Sequence, residues 1–191
     1  MEDEKLFEKY RELFLKIAKD AIQTFVRTNQ KKCVDEYPEE LRMKRGVFVT
    51  INENSELRGC IGVPYPEMDL IDAICESAVS ATQDPRFEPL REDELDKISI
   101  EISILTKPEL ISAKDPRDYL NIIRPSVDGL IIEEGFSSGL FLPQVWDEIK
   151  DPEKFLDELC LKAGLPVGEW KNPQAKLYRF NAFIIKEESK K

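Results

Sequence analysis

The stretch Ile98-Ser99-Ile100-Glu101-Ile102-Ser103-Ile104-Leu105 sets an apolar residue against a polar one at almost every step. Successive side chains of a strand point to opposite faces, so this pattern predicts a strand with one buried and one wet face, over 97–106. Its neighbours decide the fold class. Upstream, 46–52 and 57–63 read as two strands joined by the polar segment Glu53-Asn54-Ser55-Glu56, a hairpin signal. Residues 67–82 repeat apolar side chains at helical spacing and stop at Asp84-Pro85. Residues 5–28 do the same over a longer amphipathic helix, followed by a polar loop to 45 that contains Cys33 and Pro38.

Downstream, 129–134 and 139–142 read as a second hairpin whose loop holds Gly135 and Ser137-Ser138. A short helix is expected near 115–123, a helix starting at Pro143, and another over 152–163 with Gly164 as its C-cap. The alternation from 176 to 186 predicts one final strand. Strands and helices do not alternate strictly and both hairpins are local, which favours an α+β fold with a mainly antiparallel sheet flanked by helices.

Composition narrows the function classes. The 191 residues suit one domain, or one core with a smaller lobe. Charged residues make up 35% and the net charge is −10. The acidic field argues against a nucleic-acid partner, which would need a basic stripe longer than Arg42-Met43-Lys44-Arg45. No apolar run approaches the roughly 20 residues needed to span a bilayer. The N-terminus is acidic and lacks the apolar segment of a signal peptide. A cytoplasmic setting with reduced thiols is therefore expected for Cys33, Cys60, Cys75 and Cys160. Cys33 is assigned no role, and Cys75 reads as a small core residue. The sequence has no histidine and no closely spaced cysteine pair. Neither a metal site nor a cofactor is expected, and Ser-His-Asp and Cys-His catalysis are excluded.

The chemistry concentrates in Leu57-Arg58-Gly59-Cys60-Ile61-Gly62. Placing Val47, Val49 and Ile51 on the same face as Leu57, Gly59 and Ile61 pairs Ile51 with Leu57, Val49 with Gly59 and Val47 with Ile61. That register needs an odd loop or a bulge. Arg58 and Cys60 then share the opposite face with Phe48 and Thr50. A guanidinium two residues along a strand lies within about 7 Å and would lower the thiol pKa. Gly59 and Gly62 leave room for a ligand or another backbone. If 97–106 joins the same sheet, Glu101 and Ser103 converge on Thr50, Arg58 and Cys60. The plain alternative is a packed cysteine with Arg58 paired to a surface acid. Arg86 in the Asp84-Pro85-Arg86-Phe87 turn is a candidate anion contact. So is Gln144 at the helix start after the second hairpin, where free N–H groups are available.

These residues carry a resemblance. The six-residue motif, with Asp84-Pro85-Arg86-Phe87-Glu88-Pro89, Ile100-Glu101-Ile102-Ser103-Ile104-Leu105, Asp128-Gly129-Leu130-Ile131, Leu142-Pro143-Gln144-Val145 and Lys162-Ala163-Gly164-Leu165, resembles the AMMECR-one domain family from about 6 to 186. The resemblance implies a single α+β domain with a larger and a smaller lobe separated by a cleft, the chain ends sharing the larger lobe. It also implies a genomic association with a Memo-type protein and a radical S-adenosylmethionine enzyme, hence a component of a modification system. Three functions follow as expectations. One is a protein-binding or accessory component acting through the cleft near the motif. Another is a thiol-dependent enzyme using Cys60, Arg58 and Glu101. The third is a small-molecule or nucleotide-binding module.

Overall fold

The computed structural model describes residues 2–187. Its strands are β1 (Val47–Glu53), β2 (Glu56–Val63), β3 (Ile98–Leu105), β4 (Glu109–Leu110), β5 (Gly129–Glu134), β6 (Ser137–Phe141), β7 (Lys176–Phe180) and β8 (Ala182–Lys186). Its α-helices are α1 (Glu2–Lys9), α2 (Arg11–Thr28), α3 (Leu70–Ala81), α4 (Tyr119–Ile122) and α5 (Pro152–Lys162). They form an α+β fold with two four-stranded sheets, ordered β2-β1-β3-β8 and β4-β7-β5-β6. The chain divides into two compact units. The first runs to Leu105 and resumes at Phe183; the second is Thr106–Ala182.

In the first unit β1 pairs antiparallel with both β2 and β3. Val47, Val49 and Ile51 of β1 and Ile100, Ile102 and Ile104 of β3 are at most 2% exposed. They meet Phe14, Ile17, Ala18 and Ile22 of α2 and Leu70, Ile71, Ile74 and Ala78 of α3 in one core. Fully burying side chains of this size contributes about 1.5–3 kcal/mol each. The helix expected over 5–28 is two helices, because Tyr10 (φ −107°, ψ 12°) interrupts it and its hydroxyl donates to Glu40. α2 ends where Asn29 turns left-handed (φ 56°) and donates its N–H to the Phe25 carbonyl.

The first hairpin turns on Asn54 (φ 52°) and Ser55 (φ 69°), both left-handed, as a two-residue turn matched to strand twist requires. The observed register pairs Val47 with Val63, Val49 with Ile61 and Ile51 with Gly59, two residues from the expected one. A bulge then brings Leu57 opposite Asn52, leaving Arg58 as the extra residue. Leu57 consequently leaves the core face and is 44% exposed.

Two expectations about cysteine are overturned. Cys33 and Cys75 are joined in a disulfide, so neither is a free thiol and Cys33 has a structural role. The bond ties the polar segment after α2 to the middle of α3, a constraint that sequence separation hides. Cys60 and Cys160 are free, and burial pushes the Cys160 thiol up.

The strand expected over 176–186 is broken at Asn181: β7 joins the sheet of the second unit, and β8 joins the sheet of the first. Asn181 exchanges hydrogen bonds with Thr106: Thr106 N–H donates to its carbonyl at 2.8 Å, and its own N–H donates to Thr106 Oγ1 at 2.9 Å. Ser137 and Ser138 belong to β6, leaving Gly135 (φ 58°) and Phe136 as the turn. The helix expected at Pro143 is a five-residue 3-10 turn, Pro143–Asp147. Trp146 stacks on Phe155 with ring centroids 3.7 Å apart and donates its indole N–H to the Asp128 carbonyl at 2.7 Å. Asp151 caps α5 by accepting from the Lys154 N–H at 2.8 Å, a bond worth about 1 kcal/mol.

Candidate functional site

The outer face of the first sheet, opposite α2 and α3, carries the candidate residues. Thr50 lies directly between Cys60 on β2 and Glu101 on β3. Cys60 and Glu101 are thus two strand spacings apart, about 10 Å between Cα atoms. The Thr50 hydroxyl donates to Cys60 Sγ at 3.2 Å, and Cys60 is partly exposed. Glu101 turns the other way and pairs with Lys186 of β8 at 3.0 Å. Phe48 lies between Gly62 and Ser103 in the next row, and Ser103 is buried.

Arg58 does not serve the thiol. The bulge re-aims its side chain, and its Nε and Nη2 reach the two Glu94 oxygens at 2.7 and 3.1 Å. Nη1 also donates to the Glu88 carbonyl at 2.9 Å. The side chains of Arg58 and Glu94 are only 15% and 7% exposed. Such a two-pronged fork is the strongest form of arginine–carboxylate pairing. Arg58 holds the Glu94 carboxyl below its usual range, with help from the Arg91 N–H and against burial.

The cation beside Cys60 is instead Arg86. Its Nη2 lies 2.6 Å from Asp84 Oδ2 and 3.4 Å from the Cys60 carbonyl oxygen. Asp84 accepts the Cys60 N–H at 2.9 Å on the same oxygen. The Arg86 guanidinium holds the Asp84 carboxyl far below the usual carboxylate range, aided by the N–H groups of Cys60 and Arg86 and opposed by burial. Asp84 and Arg86 together therefore satisfy both backbone groups of Cys60 that face away from β1.

The two glycines of the motif are packing positions. A Cβ on Gly59 would sit 2.2 Å from the Ala81 carbonyl oxygen at the end of α3. A Cβ on Gly62 would sit 2.4 Å from the Phe48 ring and from the Val47 carbonyl oxygen. Gly59 lets the end of α3 close on β2, which sets the following turn, 82–90, alongside the strand. Segment 84–89 and motif 57–62 are thus each other's partners. Sequence reading found both segments but missed their two acids. Asp84 reads as a helix breaker, and Glu94 hides in the charge run Arg91-Glu92-Asp93-Glu94.

Gln144 belongs to the second unit, where it is exposed on the 3-10 turn. Among the described residues there is no group of three or more His, Cys, Asp or Glu placed to hold a metal ion. No helix among them is long and apolar enough to cross a membrane. The assembled groups supply a thiol, a hydroxyl that donates to it, and cations and carboxylates already neutralised by one another.

A protein of Methanothermobacter thermautotrophicus is 47% identical over 177 residues, covering 91% of this chain and 92% of that protein. One from Methanocaldococcus jannaschii is 48% identical over 177 residues, covering 91% and 88%. The crystal structure of an uncharacterised protein from Pyrococcus horikoshii superposes with a TM-score of 0.83 at 40% identity, covering 94% of this chain and 92% of that one. The AMMECR1 family model matches residues 15–185, and the chain belongs to the AMMECR1 family.

Proposed function

We propose that this protein is a partner-binding component, receiving another protein on the outer face of its first sheet around Cys60. One observation carries the reading. The charged side chains that the structure sets around the motif are already paired within the chain: Arg58 to Glu94 in a buried pair, and Arg86 to Asp84 and Lys186 to Glu101 in pairs whose cations are exposed. A base that is to take a proton from the thiol must be within hydrogen-bond reach of it. The group found there is the Thr50 hydroxyl, which donates to the sulfur. The arrangement builds a surface whose charges are paired, with an exposed apolar residue, Leu57, beside it. Side chains already held by partners within the chain lose less freedom on association than unpaired ones.

Family resemblance names the partners to test first: a Memo-type protein and a radical S-adenosylmethionine enzyme, with this chain as accessory component of a cytosolic modification system. The test is co-purification from the native cell with the unaltered chain, Leu57→Asp and Cys60→Ser. Both substitutions fall on partly or largely exposed positions and should leave the melting temperature unchanged. Loss of the same partner by both variants supports the reading. Folded variants that retain it defeat the reading.

A second reading, a thiol-dependent enzyme, is favoured by the partial exposure of Cys60 and by Arg86 at its carbonyl. Iodoacetamide labelling at graded pH separates the two. A reactive thiolate at neutral pH supports the enzyme; a thiol titrating near the ordinary ~8.5 supports the binding surface.

A further inference from the structure

The Cys33–Cys75 disulfide lies in the first unit, apart from the groups described around Cys60. Cys75 is 6% exposed in the middle of α3, whereas Cys33 is partly exposed on the irregular segment that follows α2. Two grooves adjoin the bond, of about 410 and 340 Å³, and both sulfur-bearing residues line each of them. Lys32 lines both grooves as well, so a cation stands on either approach to Cys33. The segment that carries Cys33 has few other holds on α3. The Lys31–Glu76 pair, at 2.7 Å, is 59% and 40% exposed, and such pairs contribute little. The next hold along the chain is Tyr37, partly buried against the core, and the next fully buried anchor is Leu41.

We propose that this disulfide is a thiol–disulfide exchange site that latches residues 30–37 onto α3, and that a dithiol reductant opens it. The first thiolate of the dithiol attacks Cys33 Sγ, the accessible sulfur. A bond forms between the incoming sulfur and Cys33, the Cys33–Cys75 bond breaks, and Cys75 leaves as a thiolate that takes up a proton. The second thiolate of the reductant then attacks its own sulfur in the mixed disulfide. Cys33 is released as a thiol and the reductant leaves oxidised, two electrons having passed to the protein. With the bond open, residues 30–36 retain mainly exposed contacts up to the partly buried Tyr37, and both grooves lose the wall that Cys33 provides.

The test uses the full chain purified without reductant, with dithiothreitol as the dithiol. Iodoacetamide should leave Cys33 and Cys75 unlabelled before reduction and label both after reduction in native buffer. Trypsin cleavage after Lys31 and Lys32 should accelerate at least tenfold on reduction. Cys33→Ser should be cleaved at the fast rate with or without reductant. If that variant fails to fold, Cys75→Ala carries the same test. Three results overturn the proposal: labelling of both cysteines before reduction, a bond that opens only in denaturant, or a cleavage rate that reduction leaves unchanged.

Discussion

Arg58 Nε stands 2.7 Å from Glu94 Oε1, and neither side chain is more than 15% exposed. Removing one member of a buried pair leaves the other charge without compensation, at a cost of about 3–5 kcal/mol. Arg58→Ala is therefore expected to destabilise by about that amount in urea titration. Arg58→Lys should recover part of it, since an ammonium restores the charge but not the fork. An Arg58→Ala protein of unchanged stability would return this residue to the exposed face of the hairpin.

Asp84 ties stability to pH. Its carboxyl ionises far below the usual range because Arg86 pairs with it, and Glu94 is lowered by Arg58. Carboxyl groups with a depressed folded pKa add stability above their unfolded values, about 3.9 for Asp and 4.3 for Glu, and lose it as pH falls through the folded ones. Stability should thus hold from pH 8 to about pH 5 as far as these two groups are concerned, then fall steadily with acid. Asp84→Asn should cost about 1–3 kcal/mol at pH 7 and flatten the acid limb, because the amide no longer titrates. Denaturant midpoints of both proteins between pH 3 and pH 7 check the sign and the slope.

Gly59→Ala places a methyl group 2.2 Å from the Ala81 carbonyl oxygen, a backbone atom with no rotamer to yield. The end of α3 must shift, and overpacking of this kind costs about 1–3 kcal/mol or more. Loss of thermal stability in Gly59→Ala, with protection of the Cys60 amide against hydrogen exchange reduced, is the expected pair of results. Retained protection would mean that the helix end and the strand move independently.

Ser55 occupies a left-handed position (φ 69°) that glycine adopts without a steric penalty. Ser55→Gly is expected to raise stability by about 0.5 kcal/mol, part of the strain relief being offset by the greater freedom of glycine in the unfolded chain. A lowered melting temperature would contradict the turn geometry.

Much of the fold was legible because alternation and helical spacing report burial directly. Ile100, Ile102 and Ile104 of β3 and the valines of β1 are core residues, as their spacing predicts, while Ile98 at the start of β3 is only partly buried. The site was legible only in part. Thr50 and Cys60 are neighbours because one alternation rule places both on the same face. Arg58 departs from that rule because a bulge, which a periodicity of two cannot locate, rotates it towards Glu94. The strand broken at Asn181 escaped because its apolar residues run on through the break, although the buried set is Leu177, Phe180 and Ile185, and Ile184 is exposed. The Cys33–Cys75 bond depends on packing across 42 residues of sequence separation, for which the local pattern holds no signal.

β2 is the outermost strand of its sheet, and such strands present a row of free hydrogen-bonding groups on which another chain can polymerise. At Cys60 that row is closed by side chains, Asp84 taking the N–H and Arg86 giving to the carbonyl. Just before it, Arg58 ties the bulge to the carbonyls of Glu88 and Pro89. The most distinctive segment of the sequence therefore guards the molecule against edge-to-edge aggregation, and a partner meeting Cys60 must recognise side chains instead of adding a strand.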